Sequence, residues 1–354
     1  MKKIYLLILI VYISCIGKSQ SSEAVTNALT NTDKEVVCFI YHRFGDSRYP
    51  TTNVAPKDFE AHLAYLVKNN FQVLSFSEAI TYLQSNGPAA KTAVITIDDG
   101  YKSFYKNGLP LLKKYALPAT LFINTKTVGG GDYMNWVELE AAAKSNIEIG
   151  NHTHSHDLFL NESAATRYKT FEAEIERSQS IISKHLKLTP QVFSFPYGEF
   201  DSEMKNIVKK AGFKAAAAQN SGVIFNGTDL YQCPRFPMSE AYSAIEKFIE
   251  KASMHALRIK RESPDNFILP EGKRPKLTLT IDNTDLQLQN LQCFVQGGKC
   301  ESRILEINPG EVTITLQAAK KISGRRRTLY TITIPGKNGA WHWYSHLWID
   351  SEQD

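Results

Sequence analysis

"AVITIDDGYKSF", residues Ala93 to Phe104, runs an apolar stretch into two adjacent carboxylates, Asp98 and Asp99, and then a glycine. An apolar run without alternation suits a strand buried on both faces, as in a parallel sheet. An acidic pair before glycine often makes only a turn. At the end of a buried strand, however, such residues stand where the loops of a parallel β/α domain open a site.

Outward from this stretch the same texture repeats. "VVCFIYH", "FQVLSF", "PATLFIN", "IEIGNH", "QVFSF" and "FKAAAAQ" read as strands. Between them lie amphipathic helical segments: "PKDFEAHLAYLVKNN", "SEAITYLQS" with a serine cap, "SFYKNGLPLLKKY" interrupted near Pro110, "NWVELEAAAKS", "AATRYKTFEAEIERSQSIISKHL", "SEMKNIVKKAG" and "AYSAIEKFIEKASM". Strands alternating with helices indicate an α/β domain with a parallel sheet, open or closed into a barrel, over residues 34–256. Residues 257–274 are charged, carry proline and lack periodicity, which predicts a linker. From 275 to 354, short β-type segments such as "KLTLTIDN", "EVTITLQ" and "RTLYTITIPG", separated by Asn, Gly and Pro turns, predict a small antiparallel all-β domain.

The chain has 354 residues, 43% of them hydrophobic and 22% charged, enough for a sizeable core and too apolar for disorder. Its opening, "MKKIYLLILIVYISCIGKSQ", pairs a basic start with an apolar stretch too short to span a bilayer comfortably. Residues 1–20 therefore read as a signal for export, to a secreted, periplasmic or outer-surface location. Cys15 is a candidate lipidation site, and the membrane enters only through that anchor. Four cysteines remain, Cys38, Cys233, Cys293 and Cys300. A local bridge between the last two fits the turn in "FVQGGK". The net charge of +5 includes no basic stripe with interleaved aromatics apart from "GRRR" at Gly324 to Arg327, so nucleic acid is not an expected partner.

Three clusters fall at predicted strand ends: "TIDDG" (Thr96–Gly100), "NHTHSH" (Asn151–His156) and "FPYG" (Phe195–Gly198). His152, His154 and His156 crowd into one segment of a chain holding only 9 histidines. Neutral imidazoles beside a carboxylate are good ligands for zinc, cobalt or iron. His152 and His156 share a face if the segment turns helically, His152 and His154 if it stays extended. One carboxylate with two imidazoles leaves positions for water, which is how catalytic metal sites are built, and the second carboxylate is then free to act as a base.

Taken as ordered blocks, "TIDDG", "HTHSH" and "FPYG", with "YHRFGD", "SFSEAI", "DDGYKSFY" and "SFPYGEFD", resemble the polysaccharide deacetylases, the NodB-homology proteins of carbohydrate esterase family 4. The subgroup acting on chitin-like or poly-N-acetylglucosamine chains is the most similar. The resemblance implies a distorted (β/α) barrel of about seven strands, a divalent metal, commonly zinc with cobalt as an alternative, and an N-acetylated polysaccharide substrate that releases acetate. It implies Asp98 as general base, Asp99, His152 and His156 as metal ligands, and a backbone N–H near Tyr197 at the oxyanion. Many members carry an arginine where this chain has Ser194; Arg235 in "CPRFPM" is the expected substitute. The family's late histidine block is not evident, so His42 and His255 are both candidates for the general acid. Tyr133, Trp136 and Tyr197 could line sugar subsites, and Trp341, Trp343, Tyr344 and Trp348 form either a carbohydrate platform or a sandwich core. Two other readings are a glycosidase pairing Asp98 with Glu199 or Asp201, which would need no histidine cluster, and a non-catalytic carbohydrate-binding protein. A peptidoglycan deacetylase is a further alternative.

Overall fold

The structure, a computed structural model, describes residues 34–353. The predicted signal 1–20 and Cys15 lie outside the described residues. Among those described, a curled half-barrel contains strands β1 (Glu35–Tyr41), β2 (Thr92–Ile97), β3 (Ala119–Ile123), β4 (Ile147–Asn151), β5 (Val192–Ser194), β6 (Ala215–Ala217) and β7 (Val223–Phe225), in the order β7-β1-β2-β3-β4-β5-β6. Neighbours run parallel except β7, which is antiparallel to β1. Helices α1 (Pro56–Lys68), α2 (Phe76–Gln84), α3 (Leu109–Tyr115), α4 (Trp136–Ala143), α5 (Arg167–Leu186), α6 (Ser202–Lys210) and α7 (Ile245–Ala252) join and cover the strands. This is the distorted barrel expected from the resemblance.

The unbroken apolar runs follow from burial on both faces. Along β1, Val37 and Phe39 pack with Phe59 and Leu63 of α1, whereas the alternate residues Val36 and Cys38 pack with Phe76 and Ile80 of α2. The serine that caps α2 is Ser75, two residues before the serine that opens the quoted "SEAITYLQS"; its hydroxyl accepts from Glu78 N while the Glu78 carboxylate accepts from Ser75 N. Near Pro110, one wider helical turn at Phe104–Gly108 precedes α3. This absorbs the proline, which cannot donate an interior helical bond. A two-residue strand, Phe236–Pro237, runs parallel along the end of β1 and carries Arg235 to the ends of β1 and β2.

The C-terminal part is all-β, with strands β8 (Ile259–Ser263), β9 (Lys276–Ile281), β10 (Gln292–Val295), β11 (Cys300–Asn308), β12 (Glu311–Ala318), β13 (Arg327–Pro335) and β14 (Trp341–Ile349). One sheet is ordered β8-β9-β12-β11; the other is β14-β13-β10, extended on the β14 side by His255–Ala256. Their facing sides bury Leu277, Leu279, Ile314 and Leu316 against Tyr330, Ile332, Ile334 and Trp348. Trp348 is therefore sandwich core, and Tyr344 donates its hydroxyl to Glu262. The Cys293–Cys300 disulfide joins β10 to β11. Cys38 and Cys233 are free and buried, and burial pushes the Cys38 thiol up to about 12.

The linker expected over 257–274 is not a free connector. Its first half is strand β8, paired with β9, and its second half is tied to β14 through Leu269 N to Ile349 O and Ile349 N to Phe267 O. An edge strand that is largely exposed buries too little to show the period-2 pattern, so its charged sequence reads as a connector.

Between β1 and α1, His62 is buried, its Nε2 donating to Ser243 O and its Nδ1 accepting from Tyr41 Oη. Burial lowers this imidazole from 6.5 to about 4. The folded state therefore binds fewer protons than the unfolded chain between those values, so the contribution is complete above pH 6.5 and is lost as pH falls toward 4. At 1.36 kcal/mol per pKa unit it is worth about 3 kcal/mol. Denaturant unfolding of the parent and of His62→Gln at pH 7.5 and pH 4.5 is expected to show a loss of stability on acidification that is smaller by that amount in the variant. An equal loss in both would remove His62 from the account.

Candidate active site

The site lies where β1, β2, β4 and β5 end. Asp98 continues β2, its N–H donating to Tyr41 O, and the side chain is fully buried. Arg235 meets it end-on: Nη1 donates to Asp98 Oδ1 and Nη2 to Asp98 Oδ2, both at 2.8 Å. The remaining guanidinium hydrogens go to Thr96 Oγ1, Ser194 Oγ and Ala218 O. All five donors of the fork are thereby engaged. Ser194 donates its own hydroxyl to Asp98 Oδ2, so it completes this network in place of an arginine. Burial raises the Asp98 carboxyl, but Arg235 and His152 outweigh it and hold the net value below the usual range.

His152 follows β4. Its Nδ1 lies 2.7 Å from Ser194 O; a carbonyl can only accept, so Nδ1 carries a proton, and in the neutral ring Nε2 presents a lone pair. That Nε2 is 3.5 Å from Asp99 Oδ1 and 3.9 Å from Asp98 Oδ2. His156 Nε2 is 3.3 Å from the same Asp99 oxygen. The chain reaches this arrangement by neither a helix nor an extended strand. Thr153 and His156 both take positive φ, the Asn151 side chain accepts from Thr153 N, and Thr153 Oγ1 accepts from His156 N. His154 turns away to bond Thr125 Oγ1.

One ligand atom each from Asp99, His152 and His156 lies within 4.8 Å of the others. Asp99 Oδ1 is buried and makes no hydrogen bond. A buried carboxylate oxygen left without a hydrogen-bond partner, facing two imidazole nitrogens, is costly unless a cation sits among them. The donor set of two imidazoles and one carboxylate suits zinc or cobalt, so these residues fit a divalent ion. Burial would raise the Asp99 carboxyl, yet the neighbouring histidines hold it well below the usual range. Burial, with His152 beside it, lowers His156 to about 4, so its imidazole is neutral at physiological pH.

The cavity in front, about 620 Å³, is lined by Asp99, His42, His156, Tyr133, Tyr197 and Arg327 among others. His42 follows β1 there, and burial lowers its pKa. Tyr133 stacks on Tyr101 with centroids 4.9 Å apart. Trp136 does not reach the cavity and stacks on His185. His255 is also elsewhere, bonded to Glu35. Both partners of the glycosidase reading are engaged outside the site: Glu199 pairs with Arg326, and Asp201 caps α6 through Met204 N.

Sequence reasoning missed Arg327, which stands on β13 of the C-terminal part. Its Nη1 donates to Tyr197 O at 2.8 Å across a separation of 130 residues. Tyr197 holds φ 58 at the turn after β5, and the next residue, Gly198, has φ 71. A Cβ on Gly198 would lie 2.5 Å from Gln219 Cβ, so only glycine fits there. The available signal was "GRRR" at Gly324 to Arg327, noted only as the exception to the absence of a basic stripe.

Residues 85–216 match the protein family described as polysaccharide deacetylase. The chain is similar to the poly-beta-1,6-N-acetyl-D-glucosamine N-deacetylase of Staphylococcus aureus (strain MSSA476), 27% identical over 224 residues, covering 60% of this chain and 76% of that protein. Among solved structures, it is similar to the Streptococcus pyogenes deacetylase PplD in complex with acetate, at TM-score 0.57 and 20% identity, covering 62% of this chain and 99% of that one. IcaB from Ammonifex degensii is similar at TM-score 0.54 and 25% identity, covering 62% of this chain and 97% of that one.

Proposed function

We propose, on the premise that its α/β domain is a polysaccharide deacetylase domain of the NodB type, that this chain hydrolyses N-acetyl groups of an N-acetylglucosamine polysaccharide, releasing acetate and leaving a free amine. The observation that carries this reading is the convergence of Asp99, His152 and His156 around an unpartnered carboxylate oxygen. These three residues would hold a divalent metal, zinc or cobalt. When bound, that ion supplies Lewis acidity, polarising the acetamide carbonyl and lowering the pKa of water.

Asp98, whose Oδ2 borders the ligand atoms at 3.9 Å from His152 Nε2, takes the proton of the attacking water. Arg235 keeps that carboxylate ionised and fixed in plane. The Tyr197 turn, clamped by Arg327, presents its peptide N–H to the oxyanion. His42, on the cavity wall and outside the ligand set, is neutral because burial lowers its pKa, and it relays to the leaving nitrogen the proton that Asp98 has taken. Tyr133 and Tyr197 border the sugar. The proposal places the enzyme outside the cytoplasm, in keeping with the export signal read from the sequence.

The test is acetate release from poly-β-1,6-N-acetylglucosamine and from chitin oligomers by chelated, zinc-restored and cobalt-restored protein. Acetate that disappears on chelation and returns with either metal is expected, and the better substrate identifies the linkage. Stoichiometric bound metal without acetate from either polymer would overturn the reading in favour of a binding protein.

A further inference from the structure

Strand β13 leaves the catalytic cavity and runs along the C-terminal part, and its alternate residues face one way. Arg327 lines the cavity and an adjoining hollow. Leu329 lines that hollow and a third, and Thr331 lines the third. At about 3.4 Å per residue the path covers ~14 Å. Neighbouring strands continue the same face: Thr331 pairs with Phe294 on β10 and Ser345 on β14, and Leu329 pairs with Leu347. The opposite face of this sheet, with Tyr330 and Ile332, is the buried core.

On the β14 side the outward face is sealed against the α/β domain by Trp343 Nε1 to Ser221 Oγ and Ser345 Oγ to Ser221 O. On the β10 side it is open, with Phe294 51% exposed and Tyr242 47% exposed. The third hollow, about 370 Å³, combines Phe294, Tyr242 and Trp343 with the polar side chains of Gln296 and Thr331, and is bordered by Lys247 and by Glu250, which Lys251 holds at 2.7 Å. Flat apolar faces among amide and hydroxyl groups suit a ring that is apolar on its faces and polar at its edge.

We propose that this face, from Arg327 through Leu329 and Thr331 to Phe294, is a rail of subsites for further residues of the glycan whose reacting residue occupies the cavity of Asp99. The proposal rests on the deacetylase reading. Continuity with the catalytic cavity identifies the occupant as the same polymer. Charge identifies its state: the passage is bordered by Arg325 and Arg327. Arg325 forms no ion pair among the described residues, and Arg327 reaches only Glu199, at 3.8 Å, which Arg326 already holds. Cations bordering the path repel the ammonium groups of a deacetylated chain. The rail therefore accepts residues that are still acetylated.

The experiment uses the full chain with metal restored. Affinities of the Asp98→Asn protein for β-1,4- and β-1,6-linked N-acetylglucosamine dimers, tetramers and hexamers are measured by calorimetry, alongside acetate release by the parent. Affinity is expected to rise about 10-fold or more from dimer to hexamer in one linkage series. The rise is expected to collapse in Phe294→Ala and in Leu329→Arg backgrounds and to persist in Ile307→Ser, an exposed change on β11 of the other sheet. A fully deacetylated hexamer should bind at least about 10-fold more weakly than the acetylated one. Acetate release with a flat length series, or equal binding of the deacetylated hexamer, would overturn the rail and leave the deacetylase reading. Length-dependent binding with no acetate from any oligomer would overturn the deacetylase reading while supporting the rail.

Discussion

Exchange of Asp98 for asparagine is expected to slow acetate release by about 10²–10⁴-fold, the span typical of a lost general base, while bound metal stays stoichiometric. Asparagine is nearly isosteric and keeps one acceptor for Arg235, but it cannot take the proton of the attacking water. Asp99, His152 and His156, the residues assigned to the ion, are untouched. Steady-state rates at saturating metal, with metal content measured on the same sample, separate the possibilities. A variant that loses its metal would make Asp98 a ligand, and one that keeps full rate would move the base elsewhere.

Replacement of Arg235 by methionine is expected to cost about 3–5 kcal/mol of stability, the usual consequence of stranding one member of a buried ion pair. The Asp98 carboxylate has no exposure and depends on two guanidinium bonds. Without them it would be driven toward the protonated state and cease to be a base, so activity falls with stability. The double variant Asp98→Asn/Arg235→Met removes the stranded charge. It is expected to be more stable than Arg235→Met alone, yet to remain as inactive as Asp98→Asn. Denaturant unfolding of the four proteins gives the coupling energy, and additive losses would show that the pair is not the unit described here.

Much of the barrel was legible because strands buried on both faces leave unbroken apolar runs, and because Asp98, Asp99, His152 and His156 fall in two short contiguous blocks at strand ends. Which histidine pairs with His152 was not settled by spacing, since the answer lies in the positive φ of Thr153 and His156, which no hydrophobic pattern encodes. Edge strand β8 was hidden by its exposure. Arg235 was visible only as a candidate, because a strand of two residues carries it to Asp98. Arg327 was missed for a different reason: the basic run that holds it lies in another part of the chain, and nothing local ties it to the turn at Tyr197.

Arg326 and Arg327 grip the segment after β5 at two points, the Glu199 carboxylate and the Tyr197 carbonyl. Glu199 is only 4% exposed, so its charge depends on a partner from the C-terminal part. The C-terminal β domain is consequently not an interchangeable module. A foreign domain grafted after Ser253 would bring no arginine to Glu199, leave a buried carboxylate without compensation, and take away one wall of the catalytic cavity. Recombination can exchange such a domain only together with the turn it grips.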